Sequence, residues 1–203
     1  MPEDTNGELR SPAGSSSGID WEKAQEGTRL LLEAVGADPD QEHLQDTWQR
    51  RVPQAYETLT EGHRKVAKPT MRTFPSEDTS AVIKTGIPVY SLCEHHLLPY
   101  HGTAHVAYIP DGAVVGLSKL PRYVRWQSRR LTMQESLTRD IASGLRSEIG
   151  ATGVIVEFTA THLCEAMRGV ERATETTTRS VEGQVTDAVK RQFERTIDRN
   201  TKA

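Results

Sequence analysis

The sequence predicts an α+β fold built around an antiparallel β-sheet. Helical spacing of apolar residues dominates residues 20–59, and runs of β-branched and aliphatic residues begin near residue 81. The predicted elements follow the order helices, strands, helices, strands, helix, which is typical of α+β proteins. With 203 residues, the chain is long enough for one domain with a substantial core. We expect a disordered tail over residues 1–18, an N-terminal helical region over residues 19–70 and a main domain over residues 71–203.

The N-terminal region carries recognisable helix boundaries. Asp20 is a favourable N-cap and Gly36 is a favourable C′ residue, so the first helix is predicted between them. A second helical stretch is predicted over residues 40–59 from its apolar spacing. Pro53 interrupts this stretch, and a kink or break is expected there because proline lacks the backbone N–H.

Five extended segments are predicted in the main domain, over residues 81–90, 103–109, 113–117, 154–161 and 174–180. The turn Pro110-Asp111-Gly112 predicts that residues 113–117 form the hairpin partner of residues 103–109. Residues 154–161 are mostly apolar, which favours a central place in the sheet.

Three helices are predicted between and after these strands. Ser118 is expected to cap a short helix that runs to about Arg129. Thr132 is expected to open a longer helix that ends at Gly150, and a final helix covers residues 184–199. The longer helix has an apolar stripe that we assign to the core, formed by Met133, Leu137, Ile141 and Leu145.

The charge and hydropathy of the chain argue against two classes of partner. The formal net charge is −3, so no global basic field would attract nucleic acid or an anionic membrane. No apolar run approaches the roughly 20 residues that span a bilayer, and the polar N-terminus lacks the features of a secretory signal. We expect a cytoplasmic protein that holds any anionic ligand through a local cluster of Lys and Arg.

Cysteine and histidine concentrate in two segments, Cys93-Glu94-His95-His96 and His162-Leu163-Cys164. Zinc prefers thiolate and imidazole ligands, and catalytic zinc keeps three protein ligands and one open position. A tight turn can bring Cys93 and His96 to one ion, and Cys164 is the only other thiol of the chain. These three residues are the predicted zinc ligands.

Two further histidines would then lie beside the metal without binding it. His162 and Cys164 are two residues apart, so on a strand their side chains would share one face, and His95 adjoins a ligand. Such histidines are suited to proton transfer near neutral pH. Two alternatives stay open: histidines packed as ordinary polar residues, and a structural zinc site that takes a fourth protein ligand, His95 or His162.

Four motifs, in their order along the chain, resemble the GTP cyclohydrolase I family. They read Ser91-Leu92-Cys93-Glu94-His95-His96, Gly116-Leu117-Ser118-Lys119, Met133-Gln134-Glu135-Ser136-Leu137-Thr138, and Thr161-His162-Leu163-Cys164 followed by Met167-Arg168-Gly169. The resemblance is strong over residues 80–182 and weak over the two N-terminal helices. It implies hydrolysis of GTP to 7,8-dihydroneopterin triphosphate and formate, the first step of tetrahydrofolate and pterin biosynthesis, through attack of a zinc-activated water on guanine C8.

The resemblance implies a role for the chemically loaded residues of these motifs. Cys93, His96 and Cys164 would bind Zn²⁺, the same set that the residues themselves suggest. His162 would protonate the purine, and His95 would assist near the ribose and the phosphates. The substrate GTP would be held by Ser118, Lys119, Arg122, Gln134, Glu135 and Arg168.

Within that substrate set, Glu135 would accept hydrogen bonds from the guanine edge with Gln134 beside it, and the three cations would clamp the triphosphate. Some of these residues also have structural explanations. Glu135 follows Thr132 by three positions, as in a capping box. Lys119 and Arg122, three residues apart, fit a solvated helix face. Arg168 lies close to Cys164 in sequence, and a positive charge there favours an anionic substrate.

The resemblance also implies the tunnelling fold. In that fold helices pack on one face of each antiparallel sheet, and the sheets of several subunits close into a barrel within a ring-shaped oligomer. It implies a homodecamer of two pentameric rings with active sites between subunits. The residues themselves support an oligomer only in that open sheet edges need partners.

The chain departs from the family pattern in the second helix. Family members usually carry a Thr-Pro-x-Arg-Val run whose arginine reaches phosphate, and here the region reads Thr47-Trp48-Gln49-Arg50-Arg51-Val52, with Arg51 the better candidate. Three other functions stay open. They are the nitrile reductase of the queuosine pathway, against which Cys164 argues, a related cyclohydrolase with another product or with iron or manganese, and a non-catalytic structural-zinc module.

Overall fold

The computed structural model describes residues 18–201, apart from the side chains of Val66 and Thr201. The predicted tail therefore lies outside the described residues, except for Gly18. The chain divides into two compact units, with the boundary between Glu57 and Thr58. Within residues 18–201, no helix is long and apolar enough to cross a membrane.

The first unit is helical, as predicted. Helix α1 covers Trp21–Ala34, and its N-cap Asp20 accepts a hydrogen bond from the Lys23 backbone N–H at 3.1 Å. Gly36 follows with a φ of +83°, a left-handed conformation that glycine adopts without steric cost. Both predicted boundaries of this helix are confirmed.

The interruption predicted at Pro53 takes the form of a widened helical turn. Helix α2 (Glu42–Asp46) continues into a π-helical turn (Thr47–Arg51) and then into α3 (Val52–Leu59). Because Pro53 has no N–H, it cannot donate to the carbonyl of Gln49 one turn earlier. The Gln25 side chain donates to that carbonyl instead, at 2.7 Å.

The second unit is built on a five-stranded sheet with the strand order β5-β2-β3-β6-β7. Its strands are β2 (Val82–Cys93), β3 (Pro99–Ile109), β5 (Leu131–Thr132), β6 (Gly153–His162) and β7 (Glu175–Gly183). Neighbouring strands are antiparallel except β2 and β5, which pair in parallel over two residues. The predicted central position of β6 is confirmed, since it lies between β3 and β7.

The predicted hairpin between residues 103–109 and 113–117 is wrong. Strand β4 (Ala113–Val115) pairs instead with β1 (Thr73–Pro75) in a separate two-stranded sheet. The physical reason is that both edges of β3 are already occupied, by β2 on one side and β6 on the other.

Helices cover both faces of the five-stranded sheet, which differs from the predicted one-sided packing. The helices of this unit are α4 (Lys119–Ser128), α5 (Gln134–Ile149), α6 (Leu163–Ala166) and α7 (Asp187–Thr201). Helices α4 and α5 contribute to the main core with residues such as Leu120 and Leu137. Helix α7 packs Phe193 against Ala107 and Ile155, which alternate with main-core residues along their strands and so face the opposite side.

Two predicted helix caps do not form. Ser118 precedes α4, but its side chain makes no capping hydrogen bond. Helix α5 begins one residue later than predicted, with Met133 as the N-cap, because Thr132 belongs to β5. Thr132 Oγ1 donates to the Met133 carbonyl, so the capping box with Glu135 is absent. Met133 is 37% exposed, so the prediction that it lies in the core is wrong.

Candidate functional site

The end of β2 forms a tight turn that carries the first predicted metal ligands. The Cys93 carbonyl accepts from the backbone N–H of Leu97 at 2.9 Å and of His96 at 3.3 Å. The Cys93 N–H donates to the Leu98 carbonyl at 2.9 Å, which closes the turn. Leu97 adopts a φ of +56°, an uncommon conformation for a non-glycine residue. The turn brings the side chains of Cys93 and His96 together, as the Cys-x-x-His spacing predicted.

The third predicted ligand reaches this turn through the pairing of β3. Strand β3 starts directly after the turn, with Pro99 opposite Leu92 of β2 and Tyr100 opposite His162 of β6. The ends of β2 and β6 therefore meet at the start of β3. Strand β6 ends at His162, and Cys164 lies on the short helix α6. The expectation that His162 and Cys164 lie on one face of a single strand is therefore wrong, because Cys164 belongs to helix α6.

Cys93, His96 and Cys164 form a group whose ligand atoms all lie within 4.8 Å of one another. No other such group of metal-binding side chains occurs within the described part of the chain. Cys93 Sγ lies 3.7 Å from His96 Nδ1. Tetrahedral zinc with ordinary Zn–S and Zn–N bonds would separate such a pair by about 3.6 Å. The donor set and its spacing fit a zinc ion.

The two thiols favour a cation between them. Burial raises the pKa of the Cys164 thiol, and the neighbouring Cys93 raises it further. Cys93 itself is 7% exposed. Two adjacent thiolates, one buried and one half-buried, repel each other and lose hydration, so a divalent cation would compensate for their charge.

His162 is held between an aromatic ring and an amide. Its imidazole stacks on Tyr100, with ring centroids 4.5 Å apart and planes 8° apart. Its Nε2 lies 2.7 Å from Gln134 Oε1. Burial lowers the pKa of His162, while the nearby carboxylates of Glu135 and Glu165 oppose that shift. The side chain therefore has a fixed orientation beside the metal-binding group.

Gln134 is buried, whereas Glu135 is exposed. Gln134 is 2% exposed, and its amide nitrogen donates to the carbonyls of Phe158 and Thr176. In this conformation its carboxamide is engaged inside the protein. The Glu135 carboxylate has no capping partner and faces solvent near His162, which leaves it free to accept hydrogen bonds from a ligand.

His95 lies next to the metal-binding turn and is exposed. Its ring meets that of His96 edge-on, with centroids 6.2 Å apart, and its Nε2 lies 3.9 Å from a Glu94 carboxylate oxygen. It does not belong to the group of ligand atoms within 4.8 Å. The structure therefore gives His95 no fourth-ligand position in this group.

The predicted phosphate-binding cations occupy two places in the second unit. Lys119 and Arg122 lie in the first turns of α4, next to Ser118. Arg168 lies after α6 in an exposed segment. Among residues 18–201, no carboxylate forms an ion pair with any of these three cations. Their charges are consequently available for an anionic ligand.

Arg50 and Arg51 lie in the first unit, where both approach the same carboxylate. Asp46 forms ion pairs with Arg50 at 2.9 Å and with Arg51 at 3.5 Å. Both arginines are substantially exposed. Neither arginine is distinguished from the other as a phosphate ligand by these contacts.

Residues to which the sequence assigned no individual role complete the surroundings of His162. Tyr100 is fully buried beneath its ring, and Thr138 and Thr178 hydrogen-bond around Gln134. Their positions depend on strand register and helix docking. An aromatic residue at position 100, close after the Cys93 turn, is visible in the sequence, but the sequence does not identify His162 as the residue that Tyr100 contacts.

A cleft of about 610 Å³ lies elsewhere, on the face of the sheet that α7 covers. Polar residues such as His105, Glu157 and Thr177 line it, and it contains none of the three thiol and imidazole ligands. The metal-binding group instead lies at an open surface, with His96 exposed and Cys164 half-buried.

Comparison with known proteins gives a consistent family assignment. A family model described as GTP cyclohydrolase I matches residues 24–198. GTP cyclohydrolase 1 of Hyperthermus butylicus is 46% identical over 166 residues, covering 82% of this chain and 84% of the relative. The Campylobacter lari protein of that name is 45% identical, with coverages of 78% and 84%. That of Carboxydothermus hydrogenoformans is 44% identical, with coverages of 81% and 87%.

Proposed function

Because the chain belongs to the GTP cyclohydrolase I family, we propose that it hydrolyses GTP to 7,8-dihydroneopterin triphosphate and formate. The observation that carries this proposal is the group of Cys93, His96 and Cys164, with His162 two residues before Cys164 at the start of α6. Two thiols and an imidazole leave a position open on a tetrahedral ion, and a proton-transfer group adjoins it. This arrangement supports hydrolysis of a ring amidine.

We propose Zn²⁺ as the ion held by Cys93, His96 and Cys164. When bound, it would supply a Lewis acid that lowers the pKa of water in the open position and so provides a nucleophile near neutral pH. The protein contributes the thiol and imidazole donors and the backbone hydrogen bonds of the Cys93 turn. The hydrogen bonds of that turn hold two of the donors close together.

The remaining residues act on the substrate. His162 would donate a proton to guanine N7, which makes C8 a better electrophile and favours opening of the imidazole ring. The exposed carboxylate of Glu135 would accept hydrogen bonds from guanine N1–H and the 2-amino group. His95 would assist near the ribose. His162 is the last residue of β6, and Glu135 lies near it in the first turn of α5. His95 lies in the Cys93 turn.

The triphosphate is assigned to Lys119, Arg122 and Arg168, with Ser118 nearby. These cations are without carboxylate partners in the described part of the chain, and guanidinium groups bind phosphate in a bidentate manner. A chain with a net charge of −3 can hold a polyanion only through such a local cluster.

A second copy of the chain would complete the site. The metal-binding group is open to solvent, whereas small-molecule sites bury most of their ligand. Among the described residues, strand β7 pairs on one side only, and β2 has a partner on its outer edge only at its last two residues. These free edges support continuation of the sheet into neighbouring subunits. We propose the homodecamer of two pentameric rings that the resemblance implies.

The test is a product assay on the metal-loaded protein. GTP is added, the products are oxidised and dephosphorylated, and neopterin fluorescence and formate are measured for the wild type, Cys164→Ala and His162→Ala. We expect neopterin and formate from the wild type, no product from either variant, and loss of metal only from Cys164→Ala. His101→Ala, which removes an exposed histidine on the other face of the sheet, is the matched control and should remain active.

Two other results would change the conclusion. Bound metal without formate release would refute the hydrolase and favour a structural-zinc module. Formate release without neopterin would identify a related cyclohydrolase with a different product. Metal analysis of protein purified from cells would show whether zinc, iron or manganese occupies the site.

A further inference from the structure

The carboxamide of Gln134 has one possible orientation. Its Nε2 lies 2.9 Å from the Phe158 carbonyl oxygen, 2.8 Å from that of Thr176 and 3.2 Å from Thr178 Oγ1. Turning the amide over would place Oε1 against two carbonyl oxygens, which have no proton to donate. The nitrogen therefore faces β6 and β7, and Oε1 faces away from them.

Hydroxyl groups around Gln134 strengthen this assignment. Thr138 Oγ1 donates to the Gln134 carbonyl at 2.8 Å, which uses its only proton. In the 2.7 Å contact between Thr138 and Thr178, the proton must then come from Thr178. Thr178 Oγ1 then presents a lone pair to the Gln134 amide nitrogen, whose two protons are shared among this oxygen and the two carbonyls. Because Gln134 is 2% exposed, water does not compete for these positions.

The orientation of Gln134 determines which nitrogen of His162 carries a proton. Gln134 Oε1 can only accept, so the His162 Nε2 that lies 2.7 Å away must donate. In the neutral imidazole, a protonated Nε2 leaves Nδ1 as the unprotonated nitrogen. Among the residues that the structure describes, Nδ1 has no hydrogen-bond partner. Nδ1 is therefore the atom left to exchange a proton with a ligand.

We propose that Gln134 is a positioning residue that fixes the tautomer of His162, an inference that rests on the hydrolysis proposed above. In the transfer step, the ring takes up a proton from solvent at Nδ1, gives that proton to guanine N7 and keeps Nε2–H on Gln134 Oε1. The ring ends as the neutral Nε2–H tautomer. The opposite tautomer would direct the Nε2 lone pair at the Oε1 lone pairs. Gln134 thus acts through His162, which replaces the direct substrate contact predicted from the sequence.

Kinetics of two variants test the positioning role. Gln134→Met keeps the length of the side chain and removes the acceptor, whereas Thr177→Val removes a hydroxyl from the opposite face of β7, away from Gln134. We expect Gln134→Met to lower kcat about a hundredfold, with KM changed by less than about threefold. Thr177→Val should change both constants by less than about threefold. Equal metal content in all proteins shows that the metal-binding group is intact.

A spectroscopic measurement reads the tautomer directly and does not depend on turnover. Solid-state ¹⁵N NMR on metal-loaded, histidine-labelled protein at mildly alkaline pH distinguishes protonated from unprotonated ring nitrogens. His162 is identified by difference from His162→Gln. We expect protonated Nε2 and unprotonated Nδ1 in the wild type, and a mixture in Gln134→Met.

A proton on Nδ1 in the wild type would overturn the proposal, as would a Gln134→Met variant whose kcat stays within about threefold of the wild type. If Gln134→Met does not fold, the wild-type spectrum still decides the tautomer. Absence of formate release by the wild type would instead refute the proposed hydrolysis. The NMR spectrum would still show which ring nitrogen of His162 carries the proton.

Discussion

The ring of Tyr100 lies flat against the imidazole of His162, with centroids 4.5 Å apart and planes 8° apart. The two residues are direct partners in the antiparallel pairing of β3 and β6, so strand register brings the rings together. Tyr100 is fully buried, whereas His162 is half-buried and next to the metal-binding group. The tyrosine is therefore a rigid wall that limits how the imidazole can turn.

Two replacements of Tyr100 should show whether its aromatic ring, rather than the space that its side chain fills, positions His162. Tyr100→Phe keeps the stacked ring, and we expect activity close to that of the wild type. Tyr100→Leu removes the ring, which should lower kcat about tenfold through misplacement of His162. It should also lower the free energy of unfolding by about 2 kcal/mol. Steady-state kinetics and urea denaturation measure both effects, and equal kcat values for the two variants would contradict the role of stacking.

Adjacent histidines should differ sharply in metal binding. His96→Ala removes a ligand from the group of three, so we expect the purified protein to lose most of its zinc and all measurable activity. His95→Ala leaves the three ligands intact and should retain metal while losing activity. Elemental analysis after dialysis against a weak chelator is the measurement. Metal loss from His95→Ala would show that a fourth protein ligand is present.

Removal of the Arg168 guanidinium should weaken phosphate binding. Loss of a charge-assisted hydrogen bond costs about 2 kcal/mol, so Arg168→Ala should raise KM for GTP about 30-fold. The inhibition constant of inorganic triphosphate should rise by a similar factor. For Arg168→Lys, both constants should lie between those of the wild type and those of Arg168→Ala. Arg191→Ala, which removes an exposed cation from α7, is the matched control. An unchanged inhibition constant in Arg168→Ala would exclude contact with phosphate.

Local patterns predicted much of the candidate site. Cys93 and His96 lie within one turn, and the turn is encoded by adjacent residues. Cys164 was identified because it is the only other thiol, although nothing in the sequence brings it near Cys93. Short spacing therefore predicted two ligands, and elimination predicted the third.

Long-range pairing explains what the sequence did not predict. The turn at Gly112 indicated a hairpin, but β3 has partners on both edges and β4 pairs with β1 instead. The stacking of Tyr100 on His162 likewise depends on the register between two strands. The same limit applies to Gln134, whose amide is oriented by carbonyls of β6 and β7. Such contacts form between segments that are distant in the chain.

His105 should make stability depend on pH. Burial lowers its pKa, Glu157 opposes this shift, and its Nδ1 accepts a weak hydrogen bond from the Gly86 N–H at 3.4 Å. Its pKa is about 6.5 in the unfolded chain, so the unfolded state binds more protons just below that pH. The stabilising contribution is complete above about pH 6.5 and is lost as pH falls toward the lower folded-state pKa.

A variant can isolate that contribution. His105→Asn keeps an acceptor near the position of Nδ1 and cannot be protonated. Urea denaturation at constant protein concentration should show a smaller loss of stability below about pH 6.5 in this variant than in the wild type. His101→Asn, at an exposed position on the same face, should retain the wild-type slope. Identical slopes for His105→Asn and the wild type would exclude His105 as the source.

Two glycines should respond to alanine in opposite directions. Gly102 lies in β3, and an added Cβ would meet the Thr159 carbonyl oxygen at 1.9 Å and the Ala160 Cα at 2.6 Å. Both contacts are with backbone of the neighbouring strand, so they cannot be relieved by turning a side chain. We expect Gly102→Ala to separate β3 from β6 locally and to lower the free energy of unfolding by about 3 kcal/mol.

Gly27 provides the matched control for Gly102. It lies inside α1, and an added Cβ would meet no heavy atom within 4 Å. Alanine loses less backbone entropy than glycine on forming a helix, so Gly27→Ala should stabilise the first unit by about 0.5–1 kcal/mol. Thermal denaturation followed by circular dichroism measures both variants. Strand β3 carries Tyr100 and starts at the metal-binding turn, so Gly102→Ala should also lose metal. A Gly102→Ala protein with full zinc content would show that β3 tolerates the displacement.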